Sequence, residues 1–110
     1  MQIEELNNYT KLFDTYGLLL SKKQYELMDK FLNLDLSESE LAEFENSSRQ
    51  SVHDAITKAK KQLLDFEQKC KVVTNQEMVN EKLEKIKALL TKEEIDIGQI
   101  NMLIDEIKTN

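Results

Sequence analysis

Hydrophobic positions in this chain recur at three- and four-residue steps from its first turn onward, the period of helices with one buried face. Ile3, Leu6, Tyr9, Phe13 and Tyr16 outline a first helix that should end near Gly17. Leu18, Leu19 and Leu20 make a short apolar turn. Ser21 with Gln24 is a capping-box pair, in which each side chain answers an orphan backbone N–H. It predicts a second helix with Tyr25, Met28, Phe31 and Leu32 on its buried side, followed by a tight connection in which Leu34 and Leu36 flank Asp35. Ser37 with Glu40 opens a short third helix through about Phe44.

Asn46, Ser47 and Ser48 form a turn cluster, and Ser48 is placed to cap a long fourth helix whose first turn is Arg49, Gln50 and Ser51. Val52, Ile56, Ala59, Leu63, Phe66 and Cys70 follow at alternating steps of four and three, a seam that carries this helix to about residue 70. On that seam Cys70 should be packed. Thr74 with Glu77 is expected to cap a fifth helix with the stripe Val79, Leu83, Ile86 and Leu90. Thr91 with Glu94 is expected to cap a sixth, with Ile97, Ile100, Ile104 and Ile107. The pattern therefore predicts an all-α fold: a five- to six-helix bundle containing a helix-turn-helix, with a C-terminal helical hairpin. Residues 1–71 would form the helical domain, with the helix-turn-helix over 37–66, and residues 72–110 the hairpin, packed on the same domain.

Composition narrows the class. With 110 residues the chain fits one small domain, and no proline with two glycines argues against a turn-rich sandwich or barrel. No run of about 18 apolar residues and no signal-peptide start appear, so a soluble, cytoplasmic protein is expected. Cys70 is the single cysteine and His53 the single histidine, which leaves no disulfide, metal site or catalytic triad to build; no cofactor is implied. No glycine-rich phosphate loop and no nucleophile beside a base is present, so the chain reads as no enzyme.

Charge is unevenly spread. The net charge is −6, yet residues 48–71 hold six basic and three acidic side chains, and the lone arginine, Arg49, opens that segment. Overall acidity disfavours indiscriminate binding to polyanions, and the middle segment is the exception.

Ser37 to about Ala59 has the dimensions of a helix-turn-helix, a motif whose second helix enters the DNA major groove. Ala42 suits the helix crossing, Asn46 tolerates a left-handed turn, and Val52 is the apolar anchor. At about 100° per residue, Gln50, Asp54, Thr57 and Lys61 lie opposite the apolar side, with His53 and Lys58 on the shoulders. The candidate nucleic-acid contacts are Ser48, Arg49, Gln50, Ser51, His53, Thr57, Lys58 and Lys61. Arg49 can pair with guanine and Gln50 with adenine, while Lys58, Lys60 and Lys61 suit phosphates. Glu45 and Ser47 stand where such motifs place apolar residues that pack the turn, and the adjacent Phe44 is expected to substitute.

The run Leu12-Phe13-Asp14-Thr15-Tyr16-Gly17 with Leu19-Leu20 and Lys23-Gln24 resembles the opening of the YlxM-like proteins of Gram-positive bacteria and mollicutes. Asp35-Leu36-Ser37, Glu40-Leu41-Ala42-Glu43 and Ser48-Arg49-Gln50-Ser51-Val52 with Asp54 look like that family's helix-turn-helix, and the likeness spans about residues 3–70. The family tends to have an apolar residue at the position of Ser47 and an aromatic at that of His53, and the order Phe44-Glu45 is reversed. The resemblance implies a helical fold whose middle is similar to region four of bacterial sigma factors. It also implies a regulatory role in the signal recognition particle pathway, because the family's gene commonly lies beside that of the particle's protein.

The expected function is therefore that of a helix-turn-helix accessory protein of the targeting pathway. Its partners would be DNA or the particle's RNA, with the particle protein or its receptor as further candidates. The alternative is an interaction adaptor with the helix-turn-helix as scaffold. Its seam would be Val79, Leu83, Ile86, Leu90, Ile97, Ile100 and Ile104, either folded back as a plain hairpin or left exposed for a homodimer or a partner helix.

Overall fold

A computed structural model describes residues 3–109, excluding the side chains of Ile3, Glu4 and Leu6. The described residues form six α-helices: α1 (Ile3–Tyr16), α2 (Lys22–Leu32), α3 (Glu38–Phe44), α4 (Arg49–Cys70), α5 (Val72–Leu90) and α6 (Ile97–Lys108). A single 3₁₀ turn, Gly17–Leu19, joins α1 to α2. The fold is all-α. The chain divides between Lys71 and Val72 into two compact units.

In the first unit the predicted caps set the helix starts. Ser21 and Ser37 each accept from the backbone N–H three residues on, and Gln24 and Glu40 reach back to complete both capping boxes. Helix α4 packs against α1, α2 and α3 and supplies the centre of the core through Val52, Ile56, Ala59 and Leu63. Leu12, Phe13 and Tyr16 face it from α1, Leu27, Met28 and Leu32 from α2, and Leu41 with Ala42 from α3. Ile3 and Leu6, expected on the α1 stripe, have side chains outside the described residues.

Aromatic and polar contacts fix the register. Helices α1 and α4 run in the same direction, since Lys60 lies over the Tyr9 ring and Tyr16 meets Phe66 with ring centroids 6.0 Å apart. The Tyr16 hydroxyl donates to Glu67 at 2.5 Å, and the Gln24 amide donates to Gln62 at 2.7 Å. Tyr16 ends α1, and α4 continues about one turn beyond it. Cys70 is consequently exposed and not packed, because the seam outlasts its cover. Of the apolar turn after α1, Leu18 and Leu19 face outward and only Leu20 is buried.

The second unit is a hairpin of α5 and α6. Two of its starts differ from expectation. Lys71 adopts a left-handed conformation at φ 54°, so α5 begins directly at Val72 and takes Thr74 and Glu77 into its first two turns. Thr91 closes the end of α5 by donating to the Ala88 carbonyl at 2.8 Å. The cap of α6 is Asp96, which accepts from the Gln99 N–H at 3.0 Å. Acidic Asp caps as well as Thr does and also complements the helix dipole, so the later signal prevails.

Candidate nucleic-acid interface

Helices α3 and α4 meet through a turn whose backbone is dictated by one residue. Asn46 has φ 52°, the left-handed conformation that asparagine tolerates better than most side chains. The Ser47 N–H bonds the Ala42 carbonyl at 2.9 Å and the Asn46 N–H bonds that of Glu43 at 3.2 Å. These two bonds form a Schellman motif, which satisfies the orphan carbonyls at the end of α3. Such a motif usually adds a hydrophobic contact from the position that Ser47 occupies. Phe44 does not provide it: its ring is exposed beneath the Lys30 ammonium, 3.8 Å from the centroid, so the expected substitution fails. Lys30 also lies 3.5 Å from Glu45 and covers this corner.

Ser48 then caps α4 by accepting from the Ser51 N–H at 3.1 Å. The exposed residues of α4 match the wheel: Ser48, Arg49, Gln50, Ser51, His53, Thr57, Lys58 and Lys61 all face solvent. Arg49, Lys58 and Lys61 make no ion pair among the described residues. Lys60 is different. Its ammonium lies over the rings of Tyr9 and Phe31, 4.8 and 5.3 Å from their centroids, and it is half-buried. Two aromatic faces hold this cation inside the first unit.

Carboxylates temper the same end of α4. The Gln50 amide donates to Asp54 at 2.9 Å, an i,i+4 pair that commits one of its donors. His53 Nδ1 lies 2.9 Å from Glu38 at the start of α3, so its ring is tethered between the two helices. Glu38, Arg49, Gln50 and His53 surround a shallow hollow there. On the other flank of α4 runs a groove of about 570 Å³ floored by Leu27, Val52 and Ala55. Ser47, Ser51 and Lys58 line it with Lys23 and Gln24 from α2. Lys23 and Glu38 are not among the contacts expected from the sequence. Each lies more than 10 positions from its neighbours on α4, a separation that carries no periodic signal.

The seam residues of the second unit separate into two groups. Val79, Ile86, Ile100 and Ile107 are half-buried, whereas Leu83, Leu90, Ile97 and Ile104 are exposed. Leu89, unnoticed in the pattern, is the buried residue of α5.

A short capped helix, a left-handed turn and a long capped helix crossing the first define an all-helical helix-turn-helix protein. Residues 3–103 match the model of the UPF0122 family, described as "Putative helix-turn-helix protein, YlxM / p13 like", and the chain belongs to that family. The match runs into α6, well past the motifs that carry the resemblance in the first 70 residues. The chain is 38% identical to a UPF0122 protein of Clostridium acetobutylicum over 109 residues, covering 96% of this chain and 93% of that one. It is 33% identical to a UPF0122 protein of Fusobacterium nucleatum over 96 residues, covering 87% and 93%. It is 36% identical to one of Lactococcus lactis subsp. cremoris over 86 residues, covering 78% of each. No helix among the described residues is long and apolar enough to cross a membrane.

Proposed function

We propose that this chain is a non-enzymatic accessory protein of the signal recognition particle pathway that binds a nucleic acid, DNA or the particle's RNA, along the exposed face of α4. The observation that supports this reading most is the solvent-facing set Arg49, Lys58 and Lys61 on a helix held across α3 by a capped, left-handed turn. Helix-turn-helix proteins place the start of such a helix against bases and its cations on phosphates. With Lys60 engaged by Tyr9 and Phe31, three cations remain for phosphate contact. Each phosphate neutralised contributes about −0.9 to the slope of log affinity against log salt on a duplex, so a slope of about −2.7 is expected.

Titration of the full chain with duplex DNA and with the particle's RNA, at several salt concentrations, tests the reading. Arg49→Ala with Lys61→Ala should remove most of the binding. Unchanged affinity in that variant would reject the site, and no binding of either nucleic acid at low salt would reject the function.

The carboxylates of Glu38 and Asp54 beside this face favour a second reading, an adaptor that offers an acidic edge to a basic protein. Binding to the purified particle protein or its receptor, without binding to nucleic acid, is the result that reading requires.

A further inference from the structure

We propose that one face of the α5–α6 hairpin pairs with the same face of a second copy of this chain to form a four-helix bundle. The face emerges from the phases of the two helices. On α5 the buried or half-buried positions Met78, Val79, Lys82, Ile86 and Leu89 form the stripe that meets α6. At about 100° per residue, Val72, Leu83 and Leu90 fall within about 20° of one another and about 80° round from that stripe. They are 47%, 45% and 52% exposed. On α6 the half-buried stripe is Ile100, Leu103 and Ile107. Ile97 and Ile104, 67% and 40% exposed, lie about 80° round from it in the same rotational sense.

The two helices are antiparallel. The ion pair between Lys82 and Glu106 joins positions nearly equidistant from the connection between α5 and α6. In an antiparallel pair, offsets of the same sense bring both rows to the same side of the hairpin. The register set by Lys82 and Glu106 then places Leu90 beside Ile97 and Leu83 beside Ile104. Four aliphatic side chains at heptad spacing thus form two layers of two on a single open face, and Val72 extends the α5 row.

A second copy is the cover this face fits. A two-fold axis sets each layer against a matching layer, the self-complementarity that an isologous interface requires. The chain carries a net charge of −6, which opposes self-association wherever its carboxylates converge. Here the helix carboxylates Glu77, Glu81, Glu84, Asp105 and Glu106 lie about 90° or more from the rows, and Gln76, Asn80, Lys87, Asn101 and Lys108 border them instead. The unit is also small: among its described residues Leu89 alone is buried. A hairpin below about 40 residues usually needs oligomerisation or another staple to be stable.

Sedimentation equilibrium of the full chain from micromolar to submillimolar concentration tests the pairing, with an expected mass of twice 12.9 kDa. Leu83→Ser with Ile104→Ser should weaken the dimer by at least about tenfold, since each copy loses two buried aliphatic groups. Glu81→Ser, on the opposite face, should leave it unchanged. Helical circular dichroism should survive the double change, because neither side chain faces the partner helix; if helicity falls, the single Leu90→Gln variant makes the same comparison. A monomer throughout the concentration range overturns the proposal, and so does a dimer indifferent to these substitutions. Neither outcome depends on nucleic-acid binding.

Discussion

Asn46 decides how the chain leaves α3. Its left-handed backbone places Ser47 and Ser48 for the Schellman bond and the α4 cap, two events one and two residues away. A β-branched side chain is strained in this conformation, so Asn46→Val should cost about 1–2 kcal/mol of unfolding free energy, while Asn46→Gly should be nearly neutral. Urea unfolding of both variants checks the difference; equal stability would mean the turn relaxes to an ordinary conformation. Gly17 makes a different demand. A methyl group there would stand 3.0 Å from the Phe13 ring and 3.3 Å from that of Tyr25, two rings already in tilted contact at 4.9 Å between centroids. Gly17→Ala should therefore destabilise the first unit by about 1–3 kcal/mol, as overpacked cores do. Such single-residue requirements were readable in part. Asparagine in a turn cluster is a local signal, whereas the closeness of Phe13 and Tyr25 to Gly17 exists only after α1 and α2 have packed.

At the scale of elements, α4 was the most legible part of the chain, because a cap and a long alternation of three- and four-residue steps agree along it. Its buried side follows the seam from Val52 to Leu63, and Leu63→Ala should cost about 2–5 kcal/mol in thermal or urea unfolding. The seam fails at Cys70 for want of a covering neighbour, which a periodicity cannot report. The polar side shows the same division. Lys58, Lys60 and Lys61 look alike in sequence, yet only Lys60 lies over two rings contributed by α1 and α2. If α4 carries the polyanion site, Asp54→Asn should tighten binding severalfold by removing a like charge from that face and loosening Gln50. A fluorescence titration at low salt measures this, and weaker binding would show that Asp54 itself contacts the ligand. The misplaced caps at Thr74 and Thr91 have a common cause. Several residues near each junction can cap, and Lys71 and Asp96 prevailed through backbone conformation and charge respectively.

For the whole molecule, the division at Lys71 separates two unequal hydrophobic inventories. The first unit buries side chains from α1, α2 and α3 around α4, whereas the second, among its described residues, buries Leu89, half-covers residues such as Val79, Ile86 and Ile100, and leaves Leu83, Leu90, Ile97 and Ile104 exposed. A fragment of residues 1–71 should keep a cooperative unfolding transition, and one of residues 72–110 should be largely unfolded at low micromolar concentration. Circular dichroism of the two fragments checks both. A first fragment without a transition would mean that the helix-turn-helix depends on the hairpin.

The amino-acid order alone determined which segments are helical, where α2, α3 and α4 begin, and which side of α4 is apolar. These follow from interactions between residues three or four positions apart, so they survive without knowledge of neighbours. Only the tertiary arrangement decided that Lys60 is held by rings, that Phe44 lies beneath Lys30 instead of packing the turn, and that the hairpin's aliphatic residues divide into a covered stripe and an open one. Each of those outcomes depends on which other helix occupies the adjoining space, and local periodicity does not encode that.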